Sequence, residues 1–216
     1  MTSQKTRQPS ARIRQKRRQA RRDILDAARR LLTRQGIDAV TLASVAAELG
    51  MTKPALYHYF PSKDALVRAL VVTLLGEEID ALVAAVEAEE DSANTLPTLI
   101  RAFHAHYIGR LDAFRIVYCQ SQLVSAPNLG MDPQTIRDEI NPRTRQLFDV
   151  LEERLVAPNA SEAARRQARR LAYTAWTSAL GLLTMLSVAD ATADPLAHSD
   201  TDLLATLVEV YAASRA

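Results

Sequence analysis

Four side chains that can donate hydrogen bonds lie close together in residues 53–59, among apolar or small residues. They are Lys53, Tyr57, His58 and Tyr59. Tyrosine hydroxyls and a lysine ammonium are suitable donors to phosphate oxygens, and a lysine can also reach the acceptor atoms of guanine in the major groove. The chemistry indicated is non-covalent recognition of a nucleic acid. For one of the two tyrosines, packing against a neighbouring helix is the alternative.

Two short helices are expected to position these donors. Residues 41–60 read TLASVAAELGMTKPALYHYF. Thr41 and Thr52 each stand where a helix N-cap is expected, and Gly50 suits the turn between the two helices. Ser62 is expected to cap a longer fourth helix. This is the pattern of a helix-turn-helix.

The whole chain of 216 residues predicts helix. Apolar residues recur at helical spacing, and no sustained alternation of period two is present. We expect an all-α fold of about nine helices. The predicted domains are a basic, flexible arm over residues 1–18, a three-helix helix-turn-helix domain over 19–68 and a larger helical domain over 69–216. Pro142 lies inside a predicted helix and is expected to kink or split it.

Charge is divided unevenly between the two parts of the chain. Residues 1–68 carry 15 Lys and Arg against five Asp and Glu, whereas residues 69–216 carry 12 against 20. A basic head that meets a polyanion explains this division. The arginines near the N-terminus can enter the minor groove or lengthen the first helix along the DNA backbone. A solubilising tail is the alternative for this segment.

The composition indicates where in the cell the protein is located and which classes of function it lacks. The single cysteine, Cys119, cannot form an intramolecular disulfide, and the basic N-terminus lacks the apolar stretch of a signal peptide. The longest apolar run is too short to span a bilayer. We expect a cytoplasmic, nucleoid-associated protein without membrane contact. The sequence shows no phosphate-binding loop, metal-ligand cluster or nucleophile–base set, so no enzymatic activity, metal or cofactor is predicted.

Residues 24–70 resemble the DNA-binding domain of the TetR/AcrR family of repressors. The most specific part of the resemblance is the run LYHYFPSKDAL at residues 56–66. Further matching positions are Ile24-Leu25-Asp26-Ala27-Ala28, Gly36, Thr41-Leu42, Val45-Ala46, Leu49-Gly50 and Ser62-Lys63.

The resemblance implies a role for individual residues of this domain. Lys53, Ala55 and His58 match positions that face base edges. Six residues match positions that hold phosphates: Thr41, Ser44, Thr52, Tyr57, Tyr59 and Lys63. Leu56 and Phe60 match core positions, in agreement with their apolar character.

After about residue 75 only the number and length of the helices continue the resemblance. The family architecture implies that the C-terminal domain binds a ligand and forms a homodimer through the last two helices. Pocket candidates are aromatic or polar side chains on otherwise apolar helix faces. They are Phe103, His104, Tyr107, Tyr118, Gln122, Phe148 and Trp176. For each of them, an ordinary place in the core is the alternative.

The function implied by the resemblance is transcriptional repression. The homodimer would bind a palindromic DNA operator and be released by a largely apolar small-molecule effector. The effector would favour a form of the dimer whose two recognition helices are wrongly spaced for successive major grooves. The alternative is a constitutive or partner-controlled DNA-binding regulator without a small-molecule ligand. An all-helical enzyme is the third hypothesis, and it has no support in the motifs.

Overall fold

The structure is a computed structural model and describes residues 11–119, 133–193 and 198–213. All regular elements among these residues are helical, which confirms the predicted all-α fold of about nine helices. The helices are α1 (Ala11–Gln35), α2 (Leu42–Glu48), α3 (Lys53–Tyr57), α4 (Lys63–Ala88), α5 (Thr95–Tyr107), α6 (Leu111–Phe114), α7 (Asn141–Leu155), α8 (Glu162–Thr192) and α9 (Asp200–Ala213).

The chain divides into two compact units, Met1–Leu70 and Val71–Ala216. The boundary expected from the sequence, between residues 68 and 69, lies close to this division and stays a prediction. Helix α1 begins at Ala11, so the described part of the segment predicted as a flexible arm is helical. The reason is that residues 11–22 contain neither glycine nor proline to interrupt the helix. Residues 1–10 lie outside the described residues.

The core of the N-terminal unit comes from α1, α2, α3, Phe60 and the first turns of α4. Helix α1 buries one stripe at helical spacing, formed by Ile24, Ala27, Ala28, Leu31 and Leu32. Helix α2 buries Leu42, Val45 and Ala46. Leu56 and Phe60 are 0% and 1% exposed, which confirms their predicted core positions.

Ion pairs on the surface join α1 to α2. The Arg34 guanidinium donates to both carboxylate oxygens of Glu48 at 2.9 Å, and Arg30 Nε donates to the same carboxylate at 3.3 Å. Hydrogen bonds from Arg34 and Arg30 hold the pKa of Glu48 below its ordinary value. Because these groups are exposed to solvent, we assign them an orienting role more than a stabilising one.

Side-chain caps begin the helices of the helix-turn-helix, as predicted. Thr41 Oγ1 accepts from the Ser44 amide at 3.0 Å, and Thr52 Oγ1 accepts from the Ala55 amide at 3.4 Å. Ser62 Oγ accepts from the amide of Ala65 at 3.1 Å at the start of α4. Each cap satisfies an amide that has no partner within its helix.

Gly50 makes the turn between α2 and α3. The Met51 amide donates to the Ala46 carbonyl at 2.8 Å and the Gly50 amide donates to the Ala47 carbonyl at 3.2 Å. These two bonds form a Schellman motif, which requires a left-handed residue at Gly50, and its φ is 62°. The angle at which α3 leaves α2 therefore depends on this residue.

We expect Gly50→Ala to lower the free energy of unfolding by about 1 kcal/mol, because alanine is strained in the left-handed region. A Cβ at Gly50 would meet nothing within 4 Å, so steric overlap adds nothing to this cost. Urea denaturation followed by circular dichroism measures the change. Gly109→Ala is the control, since that site is equally open and its φ is not left-handed. Equal stability of the two variants would contradict the turn assignment.

In the C-terminal unit, α5 is the most deeply buried helix. It packs against α8 and α9, and α7 packs against α8. Leu99, Ile100 and Phe103 of α5 are fully buried. A π-helical segment, Arg115–Cys119, extends α6, and the Arg115 guanidinium donates to the Ser187 carbonyl of α8 at 2.8 Å. Helix α6 and its extension are thereby tied to α8.

Pro142 interrupts the helical path over residues 133–155, as predicted. A short turn at Pro133–Thr135 leads into a π-helical turn at Ile136–Ile140, and α7 begins at Asn141 with Pro142 in its first turn. Proline lacks the amide that would continue the preceding α-helix, and it is tolerated at a helix start.

Helix α8 also satisfies the length and composition of a membrane span, with a mean hydropathy of 1.3 over 18 residues. Its first turns carry four arginines at positions 165, 166, 169 and 170. One face of α8 is buried in the unit through small residues and leucines, namely Ala168, Ala172, Ala175, Ala179, Leu183 and Leu186. Contacts with α5 and α7 account for the apolar character of this face.

Candidate functional site

Helix α3 exposes one face and buries the other. Lys53 and His58 are exposed, and Tyr57 is 48% exposed, although an aromatic ring in a small unit would ordinarily be buried. Leu56 lies between them in the sequence and is fully buried. The buried face holds the helix against the unit, so the donors on the other face are presented to solvent in a fixed arrangement.

The other residues predicted to contact DNA flank this face. Thr41 and Ser44 lie in the first turn of α2 with their hydroxyl oxygens 2.7 Å apart, and Lys63 is exposed at the start of α4. Ala55 and Tyr59 are half-buried. Thr52 Oγ1 accepts a backbone hydrogen bond, which leaves its hydroxyl proton available as a donor, whereas one of the Thr41 and Ser44 hydroxyls donates to the other.

The basic part of α1 forms a stripe on one helix face. Arg14, Arg18 and Arg22 recur every fourth residue and line a shallow surface groove with Gln15 and Gln19. On the same helix, the Arg21 guanidinium lies 4.4 Å from the centre of the Phe60 ring. A cation–π contact thus anchors α1 to Phe60, three residues beyond the end of α3.

A cluster of aromatic rings occupies the C-terminal unit. Five of the predicted pocket residues meet there: Phe103, Tyr107, Tyr118, Phe148 and Trp176. The Phe103 ring centre lies 5.5 Å from that of Tyr107 and 6.3 Å from that of Trp176. Edge-to-face geometry at these distances is favourable for aromatic pairs. Tyr118 and Trp176 are half-buried, at the border of the cluster.

Glu78 is a functional candidate that the sequence analysis missed. Its side chain is 2% exposed and accepts hydrogen bonds from Tyr107 at 2.6 Å and from Tyr118 at 2.8 Å. A signal was present in the sequence, because Glu78 interrupts a stripe of apolar residues with a spacing of four. The other members of this stripe are Leu66, Leu70, Leu74, Leu82 and Val86.

Burial controls the ionisation of this group of side chains. It raises the pKa of Glu78 to about 7 against the opposing hydrogen bonds from Tyr107 and Tyr118. Burial, reinforced by the Glu78 charge, raises the pKa of both tyrosines, so both hydroxyls stay protonated and donate. A carboxyl group that titrates near neutrality inside an aromatic cluster is unusual and is typical of functional sites.

Of the two remaining predicted pocket residues, the structure describes His104, and it is not placed in this cluster. His104 is buried on α5, and its Nε2 lies 3.9 Å from Asp200 Oδ2 without a hydrogen-bond partner among the described residues. Burial lowers its pKa, and the Asp200 charge opposes the shift. Gln122 lies outside the described residues. Within residues 11–119, 133–193 and 198–213, no group of three or more His, Cys, Asp and Glu is arranged to hold a metal ion.

The N-terminal unit is, by its fold and its exposed donors, a helix-turn-helix domain. A model of the family described as bacterial regulatory proteins, tetR family, matches residues 24–70. The HTH-type transcriptional regulator BetI of Rhizobium meliloti (strain 1021) is 37% identical over 81 residues, which cover 38% of this chain and 40% of BetI. The chain thus aligns with about two fifths of that relative's length.

Solved structures extend the likeness to the whole fold. A transcriptional regulator of the TetR/AcrR family from Thermobifida fusca YX-ER1 superimposes with a TM-score of 0.66 at 18% identity, covering 92% of this chain and 99% of that one. A TetR variant from Acinetobacter baumannii AYE in complex with minocycline gives 0.58 at 21% identity, covering 88% and 90%. Residues 24–70 therefore match the tetR family of bacterial regulatory proteins, and beyond them the likeness to these structures is one of fold.

Proposed function

We propose that the protein is a DNA-binding transcriptional repressor that binds a palindromic operator as a homodimer and is released by a small-molecule effector. The observation that carries the proposal is the exposed face of α3. Lys53, Tyr57 and His58 are held outward by a helix whose opposite residue, Leu56, is fully buried. BetI and the Thermobifida fusca protein, which the chain resembles, are transcriptional regulators.

The charges of the N-terminal unit support DNA as the partner. The arginine stripe of α1 puts three positive charges on one helix face, and α2, α3 and α4 each begin near a predicted phosphate contact. Helix N-termini favour anions through their unpaired amides and dipole. We assign Lys53, Ala55 and His58 to base edges and assign the phosphates to Thr41, Ser44, Thr52, Tyr57, Tyr59 and Lys63.

An apolar surface on α8 and α9 supports a homodimer through these helices. Met185, Val188 and Val210 are 44%, 56% and 56% exposed. Beside them lies an open groove of about 470 Å³, lined by Ser178, Leu182, His198, Asp202, Leu203, Thr206, Leu207 and Val210. Two helices from each protomer would bury this surface in a four-helix bundle.

Effector release requires a ligand with different affinities for two forms of the dimer. The recognition helices must be about 34–36 Å apart to enter successive major grooves, so a form with another spacing cannot bind the operator. Helix α4 runs through residue 70 without a break and carries Glu78 of the aromatic cluster. We place the ligand site at this cluster and the protein in the cytoplasm with its DNA.

Selection of genomic DNA fragments by the purified chain tests the proposal. We expect enrichment of a palindrome whose half-sites are about one helical turn, or a multiple of it, apart. Tyr57→Phe should weaken operator binding about tenfold without altering the preferred sequence, because it removes one donor to a charged acceptor. Lys53→Ala should relax the preference at one position of each half-site, at a cost of about 1–3 kcal/mol.

Arg170→Ala is the matched control for loss of a positive charge. Arg170 is exposed on α8, in the unit that does not contain the helix-turn-helix. Its replacement should leave both the affinity and the preferred sequence unchanged. If the wild-type chain enriches no fragment above random DNA at physiological salt, the proposal of a specific operator is wrong.

A further inference from the structure

The buried carboxylate of Glu78 lacks a cationic partner among the described residues. Its hydrogen-bond donors are two neutral tyrosine hydroxyls, and the groups that govern its pKa include no lysine, arginine or histidine. A buried charge without a counter-ion is costly, and proteins usually pair it or replace it with an apolar residue. The adjacent positions of its stripe, Leu74 and Leu82, are apolar.

The rings around Glu78 have the chemistry of a cation site. Tyr107 and Tyr118 contact the carboxylate directly, and the Tyr118 ring centre lies 6.3 Å from that of Trp176 and 5.3 Å from that of Phe114. Aromatic faces are electron-rich and attract ammonium groups, most strongly when water is excluded. Rings and a carboxylate in one cluster therefore combine the two interactions that recognise an organic cation.

Two features of this cluster would let a ligand enter it. Tyr118 and Trp176 are half-buried, so their edge of the cluster is reachable from solvent. Tyr118 also belongs to the π-helical segment Arg115–Cys119, a wide turn of a kind often found at functional sites. A shift of Tyr118 would exchange its hydroxyl on Glu78 for a ligand group without unfolding α5 or α8.

We infer that the effector is an organic cation with an apolar body, whose positive charge is paired with Glu78. The apolar body would lie among the rings of Phe103, Tyr107, Phe114, Tyr118 and Trp176. This inference rests on the proposed function, because it names the chemical class of the effector. It also refines the expectation of a largely apolar effector. An apolar body fits the rings, but a wholly neutral ligand would leave the Glu78 charge without a partner.

Titration of the full chain with three cations tests the inference. The probes are benzyltrimethylammonium, dodecyltrimethylammonium and tetraphenylphosphonium, and the readout is the fluorescence of Trp176, the only tryptophan in the sequence. We expect at least one of them to bind, and Glu78→Gln to weaken its binding by about thirtyfold or more, as for removal of one partner of a buried charge pair. Neopentylbenzene, the uncharged isostere of benzyltrimethylammonium, should bind no more tightly to the wild type than to Glu78→Gln.

Asp80→Asn is the matched control, since it removes a carboxylate two residues away on the exposed face of α4. It should bind the cations as the wild type does. The inference is overturned if none of the three cations binds to the wild type at millimolar concentration, or if Glu78→Gln binds them equally well. Operator selection is measured separately with the same protein. Normal operator binding without cation binding refutes this inference alone, whereas absence of operator binding refutes the proposed function.

Discussion

Replacement of Phe60 by alanine should lower the free energy of unfolding of the N-terminal unit by about 3–5 kcal/mol. Phe60 is 1% exposed, and the guanidinium of Arg21 covers its ring. The substitution therefore leaves a cavity in the small core and removes the anchor of α1 at the same time. Since small domains have total stabilities near the lower end of about 5–15 kcal/mol, we expect operator binding to be lost.

Two optical signals show which of the two units Phe60→Ala destabilises. Far-ultraviolet circular dichroism follows helices in both units, whereas the fluorescence of Trp176 follows the C-terminal unit. Tyr57→Ala is the control: Tyr57 is 48% exposed at the end of α3, three residues before Phe60, so its removal should change stability by less than about 0.5 kcal/mol while it weakens DNA binding. If Phe60→Ala unfolds at the same urea concentration as Tyr57→Ala, the assignment of Phe60 to the core is wrong.

Glu78→Gln should make the protein more stable above neutral pH, by up to about 3 kcal/mol. The pKa of Glu78 is raised from 4.5 in the unfolded chain to about 7 in the fold. Below pH 4.5 the carboxyl group is neutral in both states and costs nothing. Between these two values the unfolded state ionises first, so the wild type loses stability as the pH rises, and above pH 7 the loss is complete.

The difference between variant and wild type isolates this group. Other titrating groups, including His106 with a pKa lowered to about 4 by burial and by Arg110, are common to both proteins and cancel. Unfolding is measured in urea at several pH values from 4 to 8, the range that brackets both values of the Glu78 pKa. The stability difference should grow across this range for Glu78→Gln. A difference that is independent of pH would show that folding leaves the pKa of Glu78 unchanged.

The N-terminal unit could be predicted in detail because its determinants are local. Thr41 and Thr52 cap helices through amides three residues later, and Gly50 closes a turn through atoms a few residues away. The buried positions Leu56 and Phe60 follow from apolar spacing within one short segment. Interactions of this range leave a pattern in adjacent residues, which is why sequence alone determined the fold class, the turn and the core of this unit.

Helix lengths at the N-terminus were less predictable. The arginine-rich start was compatible with a flexible arm or with an extended helix, because arginine has a high helix propensity and also favours solvation. The structure selects the helix from Ala11 onwards. The basic residues then form a stripe on one face, an arrangement that the count of charges does not show.

The composition of the effector cluster was decided by tertiary structure. Residues 77–80 read EEID, which locally is indistinguishable from a solvated helix turn. Glu78 is buried because Tyr107, 29 residues later, and Tyr118, 40 residues later, close over it. His104, on the same helix as Tyr107, faces Asp200 instead. Partners that are distant in the chain leave no local pattern, so only the packing of helices shows which polar group the rings enclose.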